Sequence, residues 1–163
     1  MKRLDAILMS NILTVFHYYR HPLWAAIRDH LYSFRKYSPY RCFYLNLAGR
    51  KVPWYIKEIQ FGLIIFHTIF LSSRWAPKIF KRVVERARVL KEIKAVKIAL
   101  LQEDEFINTN KLCQFINDLG IQHVFTVAPK SEWPKIYPTV DFEKVRFHQV
   151  LTAYRCKKES ENP

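Results

Sequence analysis

Gly62-Leu-Ile-Ile-Phe-His67 places four consecutive apolar side chains, two of them β-branched, between a glycine and a histidine. So short an apolar run reads as a strand of a sheet covered on both faces, the pattern of a parallel sheet. The wider hydrophobic stretch, 61–71, contains His67 and is about half the roughly 20 residues a membrane-spanning helix needs. It is therefore read as a buried strand.

Upstream of it, Arg41-Cys-Phe-Tyr-Leu-Asn-Leu47 is a second short apolar run, closed by Ala48-Gly49-Arg50. Before that, Leu23, Trp24, Ile27, Leu31 and Phe34 recur at three- and four-residue steps. That spacing predicts an amphipathic helix over 23–37, with Pro22 suited to its first turn and Pro39 just past its end. Asn11-Ile-Leu-Thr-Val-Phe16 is β-branched and aromatic and reads as the first strand. The segment 52–60, with Pro53 and Trp54, fits neither period and is a short helix or an edge turn.

Downstream, Ile79, Phe80, Val83, Val84, Ala87, Leu90 and Ile93 trace one apolar face of a long helix starting at Pro77. Its other face carries Lys78, Lys81, Arg82, Arg86, Arg88 and Lys91, relieved by Glu85 and Glu92. A strand over 95–101 follows, then a helix over 109–119 with Asn108 or Thr109 as its cap and Gly120 where a left-handed terminator belongs. Strands over 123–128 and 145–154 flank a short helical turn at 131–137. Alternation of this kind implies parallel strands joined by right-handed crossovers. The expected fold is α/β: a Rossmann-like, doubly wound, mostly parallel sheet of about six strands with helices on both faces. Residues 1–155 form its single domain, and 156–163 a polar, frayed tail.

Composition agrees with one globular core. The 163 residues are 50% hydrophobic and 15% aromatic with only 3 Gly, which excludes disordered and collagen-like classes. Cys42, Cys113 and Cys156 make neither a disulfide framework nor a CxxC motif, so they read as reduced thiols. The apolar stretch behind Met1-Lys2-Arg3 is interrupted by Asp5, Asn11, His17 and Arg20, which argues against a signal peptide and for a cytoplasmic protein.

In doubly wound sheets, ligands collect at the carboxyl ends of the strands. The loop after the first strand, His17-Tyr-Tyr-Arg-His-Pro22, has no glycine. It therefore lacks both the dinucleotide fingerprint and the phosphate-binding P-loop, and a phosphoacceptor's acidic cluster is missing too. His17, Tyr18, Arg20 and His21 can bind an anion or supply a base, or stand as exposed loop residues; two histidines four apart do not make a metal site. His67 is either a base toward a hydroxyl or a hydrogen-bonded core histidine. Asp104 and Glu105, in Gln102-Glu-Asp-Glu105, can hold hydroxyls or form a solvated acidic loop favoured by the following helix. Ser131 and Glu132 lie in the loop after the fifth strand, where Ser131 can also cap the short helix. No metal or resident cofactor is expected.

Several stretches together resemble bacterial glycosyltransferases of the GT-B fold, the class built from two facing Rossmann-like domains. They are Asp29-His-Leu-Tyr-Ser-Phe-Arg35, Arg41-Cys-Phe-Tyr-Leu-Asn46, Phe66-His67-Thr68, Asp104-Glu105-Phe106, Cys113-Gln-Phe-Ile-Asn117, His123-Val-Phe-Thr-Val-Ala128 and Ser131-Glu-Trp-Pro-Lys-Ile-Tyr137. The resemblance implies an N-terminal, acceptor-side half. It also implies transfer of a sugar from a nucleotide-sugar co-substrate to the hydroxyl of a sugar or lipid-linked acceptor. His67 would be the base, Asp104 and Glu105 acceptor-binding or alternative base groups, and His17 with Tyr18, Arg20, His21, Ser131 and Glu132 the cleft. A partner C-terminal donor-binding domain or complementary chain is implied as well, since 163 residues cannot hold both halves. The chain is thus expected to be a truncated product, half of a split enzyme or a free-standing remnant, inactive alone.

With 27 Lys+Arg against 14 Asp+Glu, the formal net charge is +13, a field that attracts polyanions. On the glycosyltransferase reading, the basic helix lies near the anionic inner face of a membrane. The rival is a non-catalytic binding module for nucleic acid or anionic membrane, using the same helix with Tyr18, Tyr19 and Trp54.

Overall fold

The computed structural model describes residues 11–19, 23–102 and 107–151. Six strands form a single sheet: β1 (Asn11–Phe16), β2 (Arg41–Asn46), β3 (Leu63–Phe66), β4 (Val96–Leu100), β5 (His123–Thr126) and β6 (Arg146–Gln149). Their spatial order is β2-β1-β3-β4-β5-β6, and every pairing is parallel. The winding reverses between β1 and β3, as a Rossmann-like doubly wound sheet requires.

Alternation within the strands assigns the two faces. Leu13, Val15, Ile64, Phe66, Ala99 and Val124 point into the main core, against α4 (Pro77–Ala87) and α5 (Thr109–Leu119). Ile12, Ile65 and Ile98 point the other way, where Phe34 packs on them from α2 (Ser33–Tyr37). The apolar stretch 61–71 is only partly strand: β3 ends at Phe66, and α3 (Thr68–Leu71) begins after His67. That switch sets His67 at the carboxyl edge of the sheet, inside the core instead of along a strand.

The helix expected over 23–37 is two pieces, α1 (Ala25–Leu31) and α2, broken at Tyr32. Trp24 does not join the apolar face and is 67% exposed, while Leu31 is fully buried. Pro22 lies outside the described residues. The long basic helix is α-helical through Ala87 and tightens to a 3-10 turn over Arg88–Glu92. Its Arg86 is not part of the solvated face: Nη1 donates to the Leu47 carbonyl at 2.7 Å and ties α4 to the end of β2. The segment 52–60, read as a short helix or an edge turn, forms a 3-10 helix, Trp54–Glu58. The last strand is shorter than the expected 145–154; residues 152–154 lie outside the described chain.

Both ends of α5 use left-handed backbone. Gly120 terminates it at φ 66°, as its position suggested. Asn108 precedes it at φ 55° and makes no capping bond; its Nδ2 donates instead to the Arg74 carbonyl at 2.8 Å. Asn108→Ala is expected to destabilise the fold by about 2 kcal/mol, from left-handed strain plus one lost hydrogen bond. Asn108→Gly should recover the backbone share only, so urea unfolding of the two variants separates the contributions.

Candidate functional site

His67 is the residue on which the carboxyl edge of the sheet converges. It occupies the N-cap of α3, is 1% exposed, and its Nδ1 accepts the Ile69 N–H at 3.3 Å. The Thr68 hydroxyl lies at the same distance from Nδ1. A backbone N–H can only donate, so Nδ1 is the bare nitrogen and the neutral ring carries its proton on Nε2. That Nε2 is buried and has no hydrogen-bond partner among the described residues. Burial, reinforced by His30, pushes the His67 pKa down to about 3, so the ring is neutral at ordinary pH.

His30 comes from α1, its ring centroid 4.6 Å from that of His67, and burial lowers its pKa as well. The two histidines, with Ala26, Ile27, Thr68 and Gln102, line a cavity of about 70 Å³. His30, Thr68 and Gln102 also border a chamber of about 380 Å³, whose walls include Phe34, Leu100, Leu101, Phe125, Val127 and Val150. Segments following β3, β4, β5 and β6 all contribute, as the strand-end rule expects. Among the described lining residues of either space there is no Asp, Glu, Lys or Arg.

His17 belongs elsewhere. It follows Phe16 with the parity of Leu13 and Val15, and its surroundings are those of the α4 side: burial and then the Arg86 charge lower its pKa. His17 and His67 therefore leave the sheet on opposite faces and do not share a cavity. Tyr18 is held through its backbone, since Asn46 accepts its N–H at 3.1 Å and donates to its carbonyl at 2.9 Å. Arg20, His21, Asp104 and Glu105 lie outside the described residues. Ser131 is exposed on the 3-10 turn Lys130–Glu132; Pro129 holds the N-cap there, so Ser131 is not the cap. Glu132 pairs with Lys135 at 3.2 Å. Neither Ser131 nor Glu132 borders the two spaces around His67.

The chain matches no known protein family, curated protein or solved structure. What it can do must be read from its own site.

Among the described residues, no three His, Cys, Asp or Glu side chains converge to hold a metal ion. His123 and His148 form a pair, Nδ1 to Nε2 at 3.0 Å, with Phe125 stacked on His148. The sequence pointed to His67 but not to His30, Ser33 or Gln102, which join it here. The signal for the first two was present: Ser33 and Phe34 stand three and four residues after His30, on one face of the helix expected over 23–37. What the spacing could not supply is that this face closes over the end of β3. No helix of the described residues is long and apolar enough to cross a membrane.

Proposed function

We propose that this chain is the acceptor-side Rossmann-like half of a GT-B glycosyltransferase, acting with a donor-binding domain or chain that holds the nucleotide-sugar. The observation that carries the proposal is the space at the carboxyl edge of the sheet, where a buried histidine, with a nitrogen unpartnered among the described residues, borders a small pocket that shares lining residues with an apolar chamber. Such a space suits an acceptor whose hydroxyl must be held and oriented while the rest of the molecule leaves water. Three of the stretches resembling that class, Asp29-His-Leu-Tyr-Ser-Phe-Arg35, Phe66-His67-Thr68 and His123-Val-Phe-Thr-Val-Ala128, contribute to its lining. The reaction joins the sugar's anomeric carbon to the acceptor oxygen and releases the nucleoside diphosphate, with the hydroxyl proton passing to a base.

The test is transfer from a panel of nucleotide-sugars, with the chain alone and then mixed with a separately encoded donor-domain candidate. Turnover is expected only in the mixture. Turnover by the chain alone would remove the need for a donor half, and silence in both would overturn the glycosyltransferase reading. One observation favours the rival, a basic binding module: Lys78, Lys81 and Arg82 are exposed together along α4. That reading requires binding to anionic vesicles or nucleic acid that weakens steeply with salt.

A further inference from the structure

We propose that the space beside His67 takes an uncharged amphiphile, its apolar body in the larger chamber and its hydroxyl oxygen accepting a hydrogen bond from His67 Nε2–H. The proposal rests on reading this space as the acceptor site and names the chemical class of that acceptor. It also gives His67 a role different from that of a base: a fixed donor.

Three observations converge on it. First, the polarity of the ring is set by its neighbours. With Nδ1 engaged by the Ile69 N–H, a neutral His67 offers only a proton at Nε2, and among the described residues that proton has no acceptor. A buried donor left unpaired costs about 1–3 kcal/mol, so a ligand oxygen placed there recovers a penalty already present in the free protein. Second, the described lining carries no charged side chain. In a chain of net charge +13, both spaces are bordered among the described residues by apolar, hydroxyl, amide and imidazole groups alone. A carboxylate, phosphate or ammonium seated inside would lose its hydration with no counter-charge among the described lining residues to replace it. Third, size and polarity are graded. The pocket of about 70 Å³ that His67 borders has room for a small polar group, and the chamber of about 380 Å³ that shares its rim has Phe34 and Phe125 for an alkyl or ring-bearing body.

The probe is 1-octanol, compared with methyl octyl ether, octanoate and octylammonium, titrated into the full chain labelled with ¹⁵N at histidine. Saturable binding of octanol is expected, with octanoate and octylammonium at least about tenfold weaker, the factor that 1.4 kcal/mol represents. On octanol binding, the His67 Nε2–H signal should move downfield while Nδ1 keeps the chemical shift of an unprotonated nitrogen. His67→Leu should lose most of the octanol affinity, and in parallel that of methyl octyl ether, whose oxygen also accepts, while octanoate and octylammonium stay weak. If that variant does not fold, the nitrogen shifts of the unaltered protein decide alone. Equal affinity for the charged probes, a protonated Nδ1, an unmoved Nε2–H signal or absence of saturable octanol binding would each overturn the proposal. Octanol binding without sugar transfer in any mixture would instead leave this inference standing and remove the glycosyltransferase reading.

Discussion

Phe115→Ala is expected to cost about 3–5 kcal/mol of folding free energy, the range for truncating a buried aromatic side chain. Phe115 projects from α5, is 1% exposed, and meets Phe66 of β3 edge-on at 5.1 Å. Its ring also lies 5.6 Å from Phe70 of α3 and 6.1 Å from Phe80 of α4. Four rings from four elements thus meet at one point between the sheet and its main helical layer. Removing the central ring deletes its own burial and leaves a void that rigid neighbours on three sides cannot fill. For a domain whose total stability is of the usual 5–15 kcal/mol, the loss is a large fraction and lowers the melting temperature by roughly 10 °C. Urea unfolding should show a lower midpoint at unchanged slope, and Phe115→Leu a smaller shift. A midpoint for Phe115→Ala close to that of the unaltered protein would mean that the helical layer is not anchored on this cluster.

This core could be anticipated because its determinants are local and periodic. The apolar positions of α5, Leu112, Cys113, Phe115, Ile116 and Leu119, are all buried, as their spacing predicts. The runs containing β1 and β2 could be bounded closely for the same reason. The structure departs from the periodic pattern where long-range contacts override it. Trp24 has the spacing of the α1 face but stands outside it, and Arg86 has the composition of a solvated face but reaches the Leu47 carbonyl. Asn108 carries a capping side chain, yet the carbonyl of Arg74, 34 residues earlier, captures it.

The site was harder to anticipate, because a strand end names a residue without saying which face it leaves by. His17 and His67 both end strands of the same sheet, and both stood out in sequence. Only the odd and even positions within β1 and β3, taken with the face that each helix covers, separate them. His30 illustrates the converse: within a helix its position is unexceptional, and it becomes part of the site because α1 closes over the start of α3. The tautomer of His67 is more remote still from sequence, since it depends on one backbone N–H two residues further along.

Acidification is expected to destabilise the protein through His67 well before the carboxylates are protonated. The folded ring titrates at about 3, against an ordinary value of 6.5. Between those values the unfolded chain binds a proton that the folded chain refuses. Stability from this group is therefore complete above pH 6.5 and declines as the pH falls toward 3, by about 1.4 kcal/mol per pH unit. At pH 4.5 the loss from His67 alone is about 3 kcal/mol by the same relation. His17 and His30, whose pKa values are also lowered by burial, act in the same direction. In His67→Gln the amide oxygen can still accept the Ile69 N–H, but no proton is bound on acidification. Its unfolding free energy should start about 1 kcal/mol lower at pH 7.5, the scale of a weakened cap, and then fall less steeply. The two curves, from urea unfolding at pH 7.5, 6, 5 and 4.5, should converge or cross; parallel curves would show that His67 is not the group resisting protonation. The chemistry links this to binding. The folded ring takes no proton until the pH approaches 3, so over the range in which the unfolding free energy declines Nδ1 keeps the Ile69 N–H and Nε2–H stays directed. Octanol binding by the folded protein should accordingly stay level from pH 8 down to the pH at which the chain unfolds.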